Sequence, residues 1–416
     1  MSRLVLMHAA DLDLDAPFEG IGRTPPPVAA ALRDASLAAW DALVQLALAR
    51  RVDAVLLAGG LAAGLERGAR AHARLRDGIA RLASAGTRVC IGLGDRDPSD
   101  GFAAMDEWPS DVTVFERGRA GQVPFSRDGT VIATVHGISS APHHRDGELA
   151  AHFVRPHTPG VHVAMLHARL SGAAVDDAAS AYRLADLQAA GMDYWALGAG
   201  HALEYVSSGA PWVVYPGTPQ GRGFAADECG AKGVVLIEIA DRAIARVDFE
   251  PVDRIRCLRV ELRDAVDATA LVRTLTASAE ALRERNAGRA LVLEARIDGA
   301  PAVHRALRRP DACAELLRGL RRAADAWDPF VWWATARPLP AQRRPFETEQ
   351  PDDLAAEVLR CRAALAGDPP AAARFLARRF EPLRDAWTAD LERREAEDLL
   401  DDAAALAVTA LRRDEP

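Results

Sequence analysis

Short apolar runs that each end on glycine, aspartate or histidine limit what this chain can fold into. They occupy residues 4–8, 52–58, 88–93, 161–167 and 194–197. Helical periodicity fills the gaps between the first three. Residues 28–51 place Leu37, Trp40, Val44 and Leu48 on one face, and residues 65–85 carry a second helical pattern. Short buried strands alternating with helices indicate βαβ units around a largely parallel sheet. Thr24-Pro25-Pro26-Pro27 punctuates the start of the first helix. Further strands are expected at residues 130–136, 212–215 and 234–239.

The chain's 416 residues suffice for two or three domains with a real core. Net charge is −8, so bulk charge does not drive binding to nucleic acid. Lys232 is the only lysine; every other basic residue is arginine. Cys90, Cys229, Cys257, Cys313 and Cys361 are scattered singly, which suggests neither a zinc ribbon nor a disulfide framework. Reduced thiols, no signal-peptide pattern at residues 1–7 and no run of membrane-spanning length point to a cytoplasmic protein without membrane contact. No Walker-type loop, dinucleotide fingerprint or G-x-S-x-G elbow occurs.

The pattern changes after residue 252. Strands at residues 257–262 and 290–297 flank a helix at 265–285, followed by a helix at 311–326 and an apolar stretch at 328–333. Residues 253–337 read as a small α+β cap domain on a first domain of residues 1–252. Residues 338–351 read as a proline-rich linker. Residues 352–416 read as a helical tail, with Phe380, Leu383, Trp387 and Leu391 at helical spacing.

The polar residues that could carry chemistry all follow the C-terminal ends of apolar runs, where open α/β sheets gather their ligands. In order they are Asp11-Leu12-Asp13, Gly59-Gly60, Gly94-Asp95-Arg96-Asp97, His167 and Gly198-Ala199-Gly200-His201. This series resembles the calcineurin-like metallophosphoesterases, in the branch of the DNA double-strand-break repair exonucleases. The family pattern is D-x-H, G-D, G-N-H-D, a lone His and G-H-x-H. The flanks agree: His8-Ala9-Ala10 before Asp11, Asp193-Tyr194-Trp195-Ala196-Leu197 before Gly198, and Tyr215-Pro216-Gly217-Thr218-Pro219-Gln220-Gly221-Arg222 after it. The resemblance is strong over residues 3–250 and weaker beyond. It implies a four-layered α/β/β/α sandwich with an α+β cap and a C-terminal helical tail.

The resemblance also implies a two-metal site, with gaps. Asp11 matches the first Asp, and Asp13 stands where the family has His. Gly60 stands where the family has the bridging Asp. Asp95 replaces Asn as an oxygen ligand. Arg96 replaces the His that assists the leaving group, and arginine cannot exchange a proton near neutral pH. A phosphate contact remains open to it. Asp97 matches the residue that orients that His. His167 and His201 match metal ligands, and Ala199 replaces another. Two dications about 3.5–4 Å apart repel by roughly 15–20 kcal/mol at an effective dielectric of about 20, which a bridging carboxylate normally offsets. Two readings stand: a single Mn²⁺ or Mg²⁺ on Asp11, Asp13 and His201, with Asp95 and His167 left from the second site, or no metal, with Asp11, Asp13 and Asp15 as plain loop residues.

Three functional classes follow. One is a scaffold subunit with lost or crippled catalysis, paired through its tail with a coiled-coil ATPase of the structural-maintenance (SMC) type, as the family does. Another is a surviving Mn²⁺- or Mg²⁺-dependent DNA phosphodiesterase with a reduced site. The third is a DNA-binding module, for which Arg305, Arg308, Arg309, Arg318, Arg321 and Arg322 offer a basic stretch and Trp332-Trp333 a stacking surface or cap core. His143-His144 reads as a solvated loop pair. The resemblance further implies a homodimer through the phosphoesterase domain.

Overall fold

A computed structural model describes residues 3–61, 69–97, 108–140, 149–170, 182–265, 268–299, 309–338 and 354–366, with Val303, Leu307 and Ala404. The stripe at Phe380, Leu383, Trp387 and Leu391, the pair His143-His144, and Arg305 and Arg308 lie outside the described residues. The strands are β1 (Arg3–Ala9), β2 (Ala54–Ala58), β3 (Arg88–Gly92), β4 (Val112–Val114), β5 (Gly121–Arg127), β6 (Thr130–Gly137), β7 (Val161–His167), β8 (Tyr194–Gly198), β9 (Glu204–Ser208), β10 (Trp212–Tyr215), β11 (Gly233–Ala240), β12 (Ala243–Pro251), β13 (Ile255–Ala265), β14 (Ala290–Gly299) and β15 (Val331–Pro338). The helices are α1 (Pro26–Arg50), α2 (Ala69–Ser84), α3 (Leu184–Ala189), α4 (Ala268–Arg285), α5 (Pro310–Ala324) and α6 (Leu354–Ala366).

The class is mixed α/β. One six-stranded sheet runs β12-β11-β1-β2-β3-β4, parallel from β1 to β4 and antiparallel at β11 and β12. Another runs β5-β6-β7-β8-β10-β9, with four parallel strands between antiparallel edges. Residues on successive positions of a strand face opposite ways. Leu4 and Leu6 of β1, with Leu56 and Cys90, therefore join Val135, Val163, Met165 and Tyr194 in a core between the two sheets. Val5 and Met7 point the other way, onto Trp40 and Leu43 of α1 and Leu75 and Ile79 of α2. Each such side chain taken fully from water contributes about 1.5–3 kcal/mol. The outer face of the second sheet packs Trp195 and Leu197 on Phe153 and Leu187.

Proline at the start of α1 gives up an N–H that a first turn leaves unpaired. Arg51 ends the helix in a left-handed conformation, φ 51°, which turns the chain back into β2.

By contact density the chain falls into two compact units. The first comprises Met1–Val260, Val272–Ala295 and Glu315–Ala336; the second comprises Glu261–Leu271, Arg296–Ala314 and Arg337–Pro416. A third sheet has the order β13-β14-β15. Within the first unit, Gln220 is fully buried. Its Oε1 accepts from the N–H groups of Arg254 and Ile255, and its Nε2 donates to the carbonyls of Gly221 and Ile255. That one amide ties the loop after β10 to the start of β13. Among the described residues no helix is long and apolar enough to cross a membrane.

Candidate metal centre

The parallel strands β1, β2 and β3 of one sheet and β7, β8 and β10 of the other end on the same side. Their following loops bring together the motif residues. Past β1 the chain keeps pairing with the loop after β2: the N–H of Asp11 donates to the Gly59 carbonyl at 2.9 Å, and that of Asp13 to the Gly60 carbonyl at 2.8 Å. Asp11, Asp13 and Asp15 all take positive φ, 50°, 40° and 66°, while Leu12 and Leu14 are buried between them. Aspartate tolerates the left-handed region better than most side chains, which suits the alternation.

Asp11 is fully buried. Its Oδ2 accepts from the backbone N–H of Ala199 at 2.9 Å, and its carbonyl accepts from the Thr218 hydroxyl at 2.8 Å. Among the described residues its Oδ1 has no hydrogen-bond partner. Burial pushes the carboxyl up to about 6, against the pull of His167 and His201.

Asp13 is paired differently. Its Oδ2 accepts from Nη2 of Arg222 at 2.8 Å, and Nε2 of His201 stands 3.9 Å from the same oxygen. Arg222 is itself buried. Its Nη2 lies 3.7 Å from Oε1 of Glu228, and its backbone N–H donates to Oε2 of Glu228 at 2.7 Å. Nδ1 of His201 bonds Oε1 of Glu228 at 2.7 Å. That bond raises the His201 pKa against the effect of burial. Burial alone would raise the Glu228 carboxyl, but the His201 hydrogen bond and the Arg222 charge outweigh it and hold it low.

The two surviving histidines share one geometry. Nδ1 of His167 donates to the Ala58 carbonyl at 2.9 Å, and Nδ1 of His201 engages Glu228. Anchoring Nδ1 leaves Nε2 with the lone pair, the form in which a histidine ligates metal. Nε2 of His167 is 4.0 Å from Oδ1 of Asp95, which is otherwise exposed. Arg96 is exposed as well.

Asp97 is buried and acts on backbone. Oδ2 accepts from the N–H groups of Gly60 at 2.9 Å and Gly94 at 2.8 Å, and Oδ1 from that of Leu61 at 2.8 Å. It fastens the loop after β2 to the loop after β3. No histidine is there to be oriented, because position 96 is arginine.

Sequence reading singled out Asp11, Asp13, Asp95, Arg96, Asp97, His167 and His201, and the structure gathers Asp11, Asp13 and His201 with Arg222 and Glu228. Arg222 was noted only as part of a matching flank, and Glu228 not at all. The lone lysine was a signal to that loop: Lys232 Nζ donates to the carbonyls of His201 and Asp227, holding the segment around Glu228. Trp333 is fully buried. Arg321 stacks 3.9 Å from the Trp332 ring and donates to the Trp333 carbonyl, so both belong to internal packing.

No established family profile matches the chain. A curated relative does: the uncharacterized metallophosphoesterase YhaO of Bacillus subtilis (strain 168) is 31% identical over 287 residues, 68% of this chain and 70% of that protein. The chain is a metallophosphoesterase. Among solved structures, TT1561 of Thermus thermophilus aligns with a TM-score of 0.37 at 15% identity, over 60% of this chain and all of that one. A dimetal phosphatase from Danio rerio aligns with a TM-score of 0.34 at 11% identity, over 57% and 93%.

Metallophosphoesterases use divalent metal, so the donor set can be tested for a pair of ions. It does not fit one. Gly60 offers no bridging carboxylate, and its backbone lies against Asp11. A Cβ there would stand 2.6 Å from Oδ1 and 2.8 Å from Cα of Asp11, at a φ of 66°. Ala199 offers no imidazole and spends its N–H on Asp11 instead. Among the described residues, no three His, Cys, Asp or Glu side chains converge as a ligand set.

Proposed function

We propose that this metallophosphoesterase belongs to the repair-exonuclease branch and that its catalysis is lost or crippled. It serves as a scaffold or DNA-binding subunit beside an SMC-like coiled-coil ATPase. The observation that carries the reading is glycine at position 60, where even a Cβ would overlap Asp11. Without a bridging carboxylate, two dications have nothing to offset their repulsion. Arg96 stands where the branch places a proton donor, and a guanidinium keeps its proton. The tail supports the ATPase role through its apolar spacing at Phe380, Leu383, Trp387 and Leu391, which suits docking along a helical groove.

Two assays test this reading. Purified protein with Mn²⁺ should leave single- and double-stranded DNA uncut at rates above the Asp11→Ala variant. Co-expression with a coiled-coil ATPase should give a complex that is lost on deleting residues 352–416. Cleavage that is robust in the native chain and absent in Asp11→Ala would end the crippled-enzyme reading. Undiminished co-purification of the truncated chain would end the role of the tail.

A reduced-site phosphodiesterase is the second reading. It is favoured by the unpartnered Oδ1 of Asp11 and by the Nδ1 anchoring of His201, which leave two donor atoms for one hard cation.

A further inference from the structure

The donor atoms that remain raise a question of charge. Asp13 and Glu228 are two carboxylates with side chains only 12% exposed, held close together. Such a pair is unfavourable to bury without a neutralising cation beside it. Here the guanidinium of Arg222, with a side chain 9% exposed, lies 2.8 Å from Asp13 Oδ2 and 3.7 Å from Glu228 Oε1. Among the described residues its buried Nη1 has no acceptor. A cation that leaves a donor unsatisfied is held there by its charges rather than by a complete hydrogen-bond set.

We infer that Arg222 is the resident cation of this centre: its guanidinium takes the carboxylate of Asp13 in place of a divalent ion, neutralises the site from within and excludes metal. An ion on Asp13 and His201 would have to displace it. The displaced guanidinium would keep only Glu228 and add its own repulsion to the ion's. The pairing also explains why Asp13 can stand in a motif that otherwise has histidine. A carboxylate pairs with a guanidinium, whereas an imidazole at that place would leave Arg222 with Glu228 alone.

This inference rests on the proposed loss of the two-metal centre, and the two can fail separately. The full chain is stripped with chelator and titrated with Mn²⁺, and free Mn²⁺ is read by electron paramagnetic resonance alongside the thermal midpoint. Native protein and Arg222→Lys are expected to leave the free-ion signal and the midpoint unchanged. Arg222→Gln and Arg222→Met are expected to melt lower without metal, to take up one ion per chain, and to recover midpoint as they do so. Adding Asp13→Asn to either should abolish the uptake. Native protein that takes up one ion with Arg222 in place overturns the inference and promotes the reduced-site reading. Native protein that takes up two overturns both readings. Folded Arg222 variants that stay metal-free overturn the inference alone and leave the crippled-centre reading standing.

Discussion

Asp97 Oδ2 accepts the backbone N–H of Gly60 at 2.9 Å, so a carboxylate of one motif fixes the main chain of another. With the bonds to Leu61 and Gly94 it holds three N–H groups that no strand satisfies. Asp97→Ala would leave these three donors, two of them buried, without their acceptor, at a cost of about 2–3 kcal/mol or more. Asp97→Asn keeps one acceptor oxygen and should lose less. Urea unfolding of both variants checks the order; equal stabilities would show that the loops do not depend on this carboxylate.

Restoring the family's residue at position 60 should not restore the site. In Gly60→Asp the obstacle is steric rather than the left-handed φ, which aspartate tolerates: the new Cβ would stand 2.6 Å from Oδ1 and 2.8 Å from Cα of Asp11. The expected outcome is a lower thermal midpoint with no gain of DNA cleavage in Mn²⁺. A variant of native stability that cleaves DNA would mean the backbone reopens readily.

Acid should destabilise the protein through two buried neutral histidines, an effect partly offset by the Asp11 carboxyl, which burial raises to about 6. His8 is fully buried, with Nε2 donating to the Leu197 carbonyl at 3.2 Å and Nδ1 facing the Tyr194 hydroxyl at 3.1 Å. His136, also buried, pairs Nε2 with Nδ1 of His162 at 2.9 Å. Burial lowers His8 to about 3, and burial with the neighbouring His162 lowers His136 to about 4. The unfolded chain takes up these protons near 6.5, so between that value and about 4 it binds more protons than the native state. Stability is therefore present above this window and falls as pH drops through it, by up to about 1.4 kcal/mol per pH unit for each histidine. His136→Gln keeps a donor for His162 and should flatten the slope in a series of urea titrations from neutral to acid. An unchanged slope would mean that His136 titrates normally in the fold.

The pin at Gln220 gives a further check. Its amide serves four backbone groups, two on each atom. Gln220→Ala should cost several kcal/mol by stranding them, while Gln220→Glu should fail in a different way: two carbonyls would face a carboxylate with no N–H to give. Chemical denaturation of the pair, with both well below native stability, is the expected result; a native-like alanine variant would mean that water replaces the amide.

The sequence disclosed the buried strands and hid the edges. Apolar runs marked β1, β2, β3, β6, β7, β8, β10 and β11, each flanked by pairing partners on both sides. The four strands left unread in the two large sheets are β4, β5, β9 and β12, which are their four edges. Residues such as Glu204, Ser208, Glu250 and Arg246 face solvent there, so no continuous apolar signal exists. At the site, the motif order and strand ends pointed to Asp11, Asp13, Asp95, Arg96, Asp97, His167 and His201, of which Asp95 and Arg96 are exposed. What could not be read was how the gaps are filled. Glu228 and Arg222 approach Asp13 through a loop, and no periodicity encodes such a contact.

The central claim is that this metallophosphoesterase frame lacks a two-metal centre. Elemental analysis of protein purified without chelator, equilibrated with Mn²⁺ and freed of excess ion tests it most directly. The expected result is no stoichiometric Mn²⁺, in the native chain and in Asp11→Ala alike. Two equivalents per chain, lost in Asp11→Ala, would contradict the account and return the protein to the working two-metal phosphoesterases.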